Sequence, residues 1–473
     1  MPATWKGTQM NPDSGSDLIV IGTGVAGLTA ALSYLEARPA GSAPARVTLV
    51  DRAAEADRGG ATRWSWANML IDQQGVIDPE ILQEVIDSDP QVDESYFRAL
   101  ADHGGDAVRW LTGHGVEIAY ATPPFAMRTS YGATVGGGKA IVDALFGAIE
   151  GYQGVRVLYR TEAVRLHQDE QGRVDGLVVR GEDGLLRTLR AAAVVVATGG
   201  FEGSYEMLTR YVGPRANEIA PVVPGVRGNV GDGLRMITEL GGATAGQFDM
   251  MHVQLVDPRS SKPDAGIFGV PYGIIVNGQG QRFVDEGART FEGLNELLAF
   301  HVWRDQQNTS YLLVDRKAYE LPGFDFLNQT DVPAVEADSI EALAAAIGVD
   351  PDSLMRTVTE FNAAVQPGEL DPARLDGKHT RGLAIEKSNW AQTLSDGPFR
   401  AYPASIAITF TFGGVRTDLQ ARVVTPNGTP IPNLYAAGVV TGVWHREYPG
   451  AMSVLRSVVF ARIAGQHAAR AAG

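Results

Sequence analysis

The chain has 473 residues, 44% of them hydrophobic and 20% charged, so its length allows two or three domains with a sizeable core. The formal net charge of −15, without a long basic run, argues against nucleic acid and anionic membranes as partners. Because the chain contains no cysteine, disulfides, thiolate metal sites, cysteine nucleophiles and Cys-ligated iron–sulfur clusters are excluded.

The first 15 residues are polar and predict a flexible tail. They show no signal-peptide pattern, and no apolar stretch of the chain approaches the ~18 residues that a membrane span requires. We therefore expect a cytoplasmic protein without membrane insertion, and no metal site is predicted.

A short apolar strand at 18–21 leads into a glycine-rich turn at 22–27, which opens a predicted helix. A second strand at 46–50 ends in Asp51. The order strand, G-x-G-x-x-G, helix, strand and acid is typical of a dinucleotide-binding unit. At this point in the chain the pattern fits either FAD or NAD.

Each residue of this motif has a physical reason. Gly22 permits the tight turn, Gly24 lets the backbone approach a pyrophosphate, and Gly27 lets helix and strand pack closely. The helix N-terminus offers free N–H groups and the positive end of its dipole to the phosphates. The carboxylate of Asp51 is placed to accept hydrogen bonds from ribose hydroxyls.

Three later segments favour FAD over NAD. A second glycine-rich loop, GGATRWS, occupies 59–65, and a buried strand at 193–198 ends in the glycine pair 199–200. Another strand, NLYAAG, ends in glycine at 433–438, near the opposite end of the chain. An NAD site is normally complete within about 150 residues, so a ligand reached from both chain ends indicates a longer cofactor.

The order of these motifs, together with GDG at 231–233, QRFVDEG at 281–287 and TFTFGGV at 409–415, resembles the fumarate reductase/succinate dehydrogenase flavoprotein family over nearly the whole chain. Within that family, 271–277, 281–287, 408–415 and the Tyr-Pro-Gly turn at 448–450 look most like tricarballylate dehydrogenase. They look more distantly like 3-ketosteroid Δ1-dehydrogenase.

The resemblance implies an α/β protein with a Rossmann-like FAD-binding domain at 16–215 and 400–473, and an inserted α+β capping domain at 216–399. It also implies the cofactor contacts. The residues predicted to bind FAD are Gly22, Gly24, Val25, Ala26, Gly27, Asp51, Arg52, Gly59, Gly60, Ala61, Thr62, Ser65, Ala163, Val164, Ala197, Thr198, Gly199, Gly200, Asp232, Gly438, Val439, Ser453 and Val454.

Two departures from the family bear on the cofactor. Membrane-bound members attach FAD through a His just before the Gly-Gly pair, where this chain has Asp57 and Arg58, so we expect non-covalent FAD. Many members carry a Glu after the AAG glycine, where this chain has Val439. The helix that starts near Ser453 is expected to direct its N–H groups and its dipole toward the flavin.

The resemblance implies hydride exchange between flavin N5 and one carbon of a C–C bond, while the neighbouring carbon loses or gains a proton. In soluble fumarate reductases an Arg just after the RFVDE motif donates the proton. Arg289 is one position short of it, and Glu286 is the expected relay. Tyr448 is the alternative proton-transfer group. Arg289 in a cap-domain surface ion pair is the alternative structural interpretation.

The substrate-binding candidates are polar or basic residues near the flavin segments, namely Arg128, Tyr131, His252, Thr411, His445 and Arg446. The His that grips a dicarboxylate in fumarate reductases is replaced here by Phe410, and the carboxylate-anchoring Arg by Pro449. His445 and Arg446 are expected to replace that clamp, with a solvated rim as the alternative. Met452 and Arg456 are bulky where relatives have mostly small residues.

The predicted function is an FAD-dependent dehydrogenase or reductase acting on a C–C bond next to a carboxylate or carbonyl, with a small organic acid favoured as substrate. The first alternative is an enzyme similar to 3-ketosteroid Δ1-dehydrogenase. The second, from another class, is an FAD-binding protein without redox turnover. Electrons are expected to pass through a separate protein, quinone or O2, since no second nucleotide motif is visible. Direction and oligomeric state stay open.

Overall fold

The computed structural model describes residues 15–39, 41–120, 125–126 and 131–471, with the backbone alone at 291–292. These residues form two compact units. The first contains the described residues of 1–121, 130–251 and 410–473, and the second those of 122–129 and 252–409. Among the described residues, no helix has both the length and the apolar character needed to cross a bilayer.

Helices and strands alternate through much of the chain. In chain order the described α-helices are α1 (Val25–Glu36), α2 (Pro79–Asp87), α3 (Glu94–Gly113), α4 (Gly137–Glu150), α5 (Tyr205–Tyr211), α6 (Asp232–Glu239), α7 (Phe291–Asp305), α8 (Arg316–Tyr319), α9 (Phe324–Leu327), α10 (Ile340–Ile347), α11 (Pro351–Ala364) and α12 (Ser453–Ala471). The described strands are β1 (Ser16–Ile21), β2 (Val47–Val50), β3 (Met69–Leu70), β4 (Ile118–Tyr120), β5 (Tyr131–Thr134), β6 (Val155–Leu158), β7 (Glu162–Gln168), β8 (Val174–Arg180), β9 (Leu186–Val196), β10 (Ala220–Pro221), β11 (Thr244–Ala245), β12 (Met251–Val256), β13 (Ile274–Asn277), β14 (Ser310–Val314), β15 (Val335–Ala337), β16 (Phe399–Thr411), β17 (Gly414–Val415), β18 (Arg422–Val424) and β19 (Pro430–Ala436).

The main sheet of the first unit is largely parallel. Its order is β18-β19-β9-β1-β2-β6, and β1, β2, β6, β9 and β19 run in the same direction. β1, β2 and the last residues of β9 and β19 are apolar and almost fully buried, as expected where helices cover both faces of a parallel sheet. The second unit instead has an antiparallel sheet, in which β14 lies between β13 and β16 and β15 pairs with β16. The predicted α/β fold class is confirmed.

The division between the units differs from the predicted one. The first unit keeps 216–251, because β11 in this segment pairs with β17 and Asn229 donates to Glu202. The second unit keeps 400–409, because β16 pairs with β14 through this stretch, with Ala404 opposite Ser310. The boundaries therefore fall at 251/252 and 409/410 rather than 215/216 and 399/400.

Candidate functional site

The carboxyl ends of four parallel strands lie at one edge of the main sheet. Ile21, the last residue of β1, is paired with Val50 at the end of β2 and with Val196 at the end of β9. Val196 is in turn paired with Ala436, the last residue of β19. The loops that follow these strands therefore meet at one edge, which is where open α/β sheets bind their ligands.

The glycine-rich turn after β1 has the predicted geometry. Gly22 has a φ of +105°, which side chains other than glycine rarely adopt. A Cβ on Gly27 would collide with the Gly22 carbonyl oxygen, so glycine is required there for the helix to pack on the strand. Helix α1 begins at Val25, and its N-cap, Gly24, makes no side-chain capping bond.

Asp51 is tied to this turn by a residue that the sequence prediction missed. Its Oδ2 accepts hydrogen bonds from the Thr23 backbone N, at 2.9 Å, and from the Thr23 hydroxyl. The Gly59 N donates to the Thr23 hydroxyl at 3.2 Å, so Thr23 links both glycine-rich loops to the acid. Each carboxylate oxygen has two acceptor sites, so Asp51 retains capacity for a ribose hydroxyl.

The space beside Gly24 shows whether a dinucleotide can approach the glycine-rich turn. Gly24 has a φ of −67°, which any residue can adopt, and a Cβ added there would make only ordinary contacts, 3.5 Å from Thr62 Oγ1 and 3.8 Å from the Gly59 carbonyl oxygen. A Cβ on Gly60 would likewise lie 3.8 Å from the Gly24 Cα. No described residue requires glycine at 24, so the open space agrees with a pyrophosphate held against the backbone.

The remaining cofactor candidates near β2 bond chiefly to one another. Thr62 Oγ1 accepts from the Val25 N at 3.2 Å, and the Ser65 hydroxyl donates to the Thr62 carbonyl at 2.9 Å. Arg52 forms an ion pair with Asp232. These bonds brace the loops, and direct contact of the four polar side chains with FAD stays a prediction.

Ala163 and Val164 lie on β7, which pairs with β8 rather than with a parallel strand. The backbone N of Thr161, just before β7, donates to the Asp51 carbonyl at 2.9 Å. This bond places the start of β7 beside the acid. Contact of Ala163 and Val164 with the cofactor stays a prediction.

Gly438, after β19, brings the late part of the chain to the glycine-rich turn. It has a φ of +83°, and an added Cβ would lie only 2.8 Å from the Ala26 methyl group in the first turn of α1. Glycine therefore allows the loop after β19 to pack on the helix that the dinucleotide motif opens. This contact supports the expectation that one ligand is reached from both chain ends.

Tyr448 occupies the N-terminus of α12. Its hydroxyl accepts hydrogen bonds from the Met452 N and the Ser453 N, each at 2.8 Å. Its ring is fixed edge-on against Phe410 and Trp444, with ring centroids 5.0 Å away in both cases. The first N–H groups of the helix, which we expected to face the flavin, are thus directed at the phenol oxygen of Tyr448.

The His445–Arg446 pair does not form an open carboxylate clamp. The side chain of Arg446 is 65% exposed, and its Nε donates to Asp89 Oδ2 at 3.0 Å. His445 is buried, and this burial lowers its pKa below the usual value although Asp89 acts in the opposite direction. A neutral imidazole and an arginine already paired with a carboxylate account for both residues, and their role toward substrate stays a prediction.

A buried acid, Glu202, lies beside the loop that follows β9 and was also missed. Its Oε1 accepts from Asn229 Nδ2 at 2.6 Å, and burial raises its pKa to about 7. The hydroxyl of Thr411, a predicted substrate ligand, is buried and accepts from the Phe201 N at 3.3 Å. Thr411 therefore ties the end of β16 to the loop after β9.

In the second unit, the expected relay residue is part of a structural ion pair. Glu286 is fully buried; its Oε1 accepts from Arg282 Nε at 2.9 Å and from the Ile275 N at 3.0 Å, and its Oε2 accepts from Arg282 Nη2 at 2.5 Å. These bonds hold the Glu286 carboxylate in place, and its role as a proton relay stays a prediction. Arg289 is exposed, just before α7.

The other substrate candidates lie in different places. His252 Nδ1 is 3.0 Å from Glu296 Oε1 within the second unit. Tyr131 begins β5 in the first unit and is buried. Arg128 lies outside the described residues.

The strand-end loops and the parallel sheet define a dinucleotide-binding α/β protein. The FAD binding domain family matches residues 17–455, and the chain belongs to this family. Fumarate reductase (cytochrome) from Shewanella frigidimarina is 27% identical over 479 residues, covering 97% of this chain and 78% of that protein. The open conformation of a flavocytochrome c3 fumarate reductase superposes with a TM-score of 0.77 at 26% identity, covering 98% of this chain and 79% of that one.

A further relative carries a ketone in its substrate's name. It is 4-oxocyclohex-2-ene-1-carboxylate 5-dehydrogenase from Sinomonas cyclohexanicum, 30% identical over 343 residues, which cover 67% of this chain and 58% of that protein. The predicted family resemblance and the cofactor, FAD, are confirmed. Non-covalent attachment stays a prediction.

Proposed function

We propose that the chain is an FAD-dependent oxidoreductase that dehydrogenates or reduces a C–C bond next to a carbonyl or carboxylate group. The observation that carries this proposal is the Tyr448 hydroxyl, 2.8 Å from two N–H groups at the start of α12. FAD, when bound, supplies the ring that exchanges hydride with one carbon. The neighbouring carbon exchanges a proton, so negative charge develops on the adjacent carbonyl oxygen.

Tyr448 suits the stabilisation of that oxygen. A phenol that accepts two backbone hydrogen bonds is polarised, so its own O–H becomes a stronger donor. The N-terminus of α12 adds the positive end of a helix dipole. Packing against Phe410 and Trp444 holds the ring in place, so little reorganisation accompanies the charge development that catalysis must stabilise.

Three side chains of the first unit favour a substrate bound through a single carbonyl oxygen over a tightly held dicarboxylate. Phe410 offers no hydrogen bond, Arg446 is paired with Asp89, and His445 is buried with a lowered pKa. The relative that acts on a 4-oxocyclohexene carboxylate supports a ketone-bearing organic acid as substrate. A dicarboxylate is the second candidate, favoured by the fumarate reductase that is similar over 97% of this chain.

Arg289 remains the proposed proton-transfer group, with Tyr448 as the alternative. Glu286 stays the proposed relay, since three hydrogen bonds from Arg282 and the Ile275 backbone leave its Oε2 one further acceptor site. A separate electron carrier is proposed as well, in agreement with the cytochrome in the name of the fumarate reductase relative. Replacement of Arg289 by Ala separates the two candidates, since turnover at the wild-type rate contradicts its role.

The test uses purified holoenzyme under anaerobic conditions, in oxidised and in chemically reduced form. Cyclic enones, their saturated ketones, 4-oxo acids, fumarate and tricarboxylates are added one at a time while the flavin absorbance is followed. We expect a ketone or enone to change the absorbance in the wild type and to do so far more slowly in Y448F. If no compound changes it, the alternative of an FAD-binding protein without turnover replaces the proposal.

A further inference from the structure

Arg456 is a buried cation in the first turn of α12. Only 1% of the surface of Arg456 is exposed to solvent. Its Nη1 donates to Thr441 Oγ1 at 2.9 Å, to the Gly438 carbonyl at 3.2 Å and to the Tyr96 hydroxyl at 3.4 Å. Its Nε and Nη2 have no hydrogen-bond partner within the part of the chain that the structure describes.

The groups of the described residues that contact Arg456 do not neutralise its charge. They are a carbonyl, two hydroxyls and the ring of Trp444, whose centroid is 5.7 Å from the Arg456 Cζ. Burial raises the pKa of Tyr96, which keeps that hydroxyl neutral. The buried Arg282, by comparison, forms an ion pair with Glu286. A buried guanidinium without a carboxylate is costly, so an interaction elsewhere must offset it.

The position of Arg456 indicates which interaction that is. The carbonyl it contacts belongs to Gly438, which packs on Ala26 at the edge of the sheet where the cofactor loops meet. The Arg456 guanidinium is therefore buried next to this edge of the sheet. In the protein interior, charges interact over longer distances than in solvent. A ligand that gains negative charge at this edge is stabilised by it.

We propose that Arg456 is a positioning residue of the flavin site whose unneutralised charge raises the midpoint potential of the bound FAD. Two electrons and one proton convert the neutral oxidised ring into a reduced ring with one negative charge. A fixed positive charge favours that anion over the oxidised form. The inference rests on FAD as cofactor and not on the proposed substrate, so it is tested with no substrate present.

The experiment compares the holoenzymes of wild type, R456M, R456K and R462M. Arg462 is the matched control, because it lies on the same helix with its guanidinium over Trp110, 5.5 Å from the ring centroid. The midpoint potential is measured against a reference dye, and the dissociation constant of oxidised FAD by titration of the apoprotein. We expect R456M to disfavour reduction about tenfold, which is ~30 mV lower for a two-electron couple.

R456K keeps the charge and is expected to stay near the wild-type potential, as is R462M. A wild-type potential in R456M overturns the proposal, and so does an equal shift in R456M and R456K. If R456M does not fold, R456Q, which keeps two N–H donors without the charge, takes its place. If neither neutral variant folds as apoprotein, Arg456 serves the structure alone and the proposal is likewise overturned.

Discussion

The glycine-rich turn at 22–27 and the segment around α12 meet at the same edge of the main sheet, but they differ in backbone conformation and in how their polar groups are paired. Around the first glycine-rich turn, Thr23 and Asp51 satisfy each other and the backbone follows the predicted conformation. Around α12, Arg446 and Ala451 have φ values of +57° and +50°, and Arg456 is buried without a counter-charge among the residues that the structure describes. Holding a pyrophosphate is a task common to many proteins, whereas the second region contains Tyr448 and Arg456, the residues that we propose to act on the substrate and on the flavin potential.

The largest effect is expected in the first region, from Gly24→Ala. The added methyl makes only ordinary contacts with the protein, so the apoprotein should unfold as the wild type does. The same methyl fills the gap that a pyrophosphate needs, and FAD affinity should fall about 1000-fold. Titration of the apoprotein with FAD measures this.

Gly27→Ala serves as the contrast, because its methyl collides with the Gly22 carbonyl and should destabilise the apoprotein itself. Retention of FAD by G24A would show that the gap is not the phosphate site.

In the second region, Tyr448→Phe should lower kcat/KM about 100-fold, because removal of one hydrogen-bond donor from a developing oxyanion typically costs that much. FAD content and the flavin spectrum should remain those of the wild type. Steady-state kinetics with the compound found in the anaerobic screen gives the comparison. Turnover within a few-fold of wild type would assign the hydroxyl to capping of α12 alone.

Glu202 lies in the loop after β9, between the two regions. We expect Glu202→Gln to change the free energy of unfolding. The pKa of Glu202 is raised from 4.5 to about 7 in the folded chain, so the folded state keeps a proton that the unfolded state releases. Its contribution to the free energy of unfolding is therefore greatest below pH 4.5 and is lost as the pH rises to about 7, by about 3 kcal/mol in total.

Denaturant unfolding of the wild type and E202Q, at about pH 5 and about pH 8, measures this difference. The wild type should lose more stability than E202Q over that interval. Parallel losses in the two proteins would mean that Glu202 titrates normally.

Arg446→Ala should have the smallest effect. An ion pair with an exposed arginine contributes at most about 1 kcal/mol, and Asp89 keeps the hydrogen bond from the Gln91 N after the change. We expect the unfolding free energy to shift by less than that amount and KM to change little. A large rise in KM would restore Arg446 to the substrate site and weaken the contrast with Arg456.

Local pattern predicted most of the first region, because a glycine motif, a helix start and a strand-end acid are defined by residues close in sequence. The prediction missed Thr23 and Glu202, whose importance depends on partners brought together by the fold. The hydrogen bond that Glu286 accepts from Ile275, on β13, is of the same kind, and the relay role of Glu286 stays a prediction. The boundary predicted at 215/216 differs from the observed one at 251/252 because β11 pairs with β17, a strand far along the chain.

The strand order also has a consequence for how the protein is made. β19 is inserted between β9 and β18, with Tyr435 opposite Val195, so most of the second unit must be synthesised before the parallel sheet has all its strands. A nascent chain that has emerged only to β9 exposes the open flank of that strand, and such unpaired edges invite association with other chains. Ribosome-bound intermediates should therefore acquire FAD late, after the loop at Gly438 can close on α1.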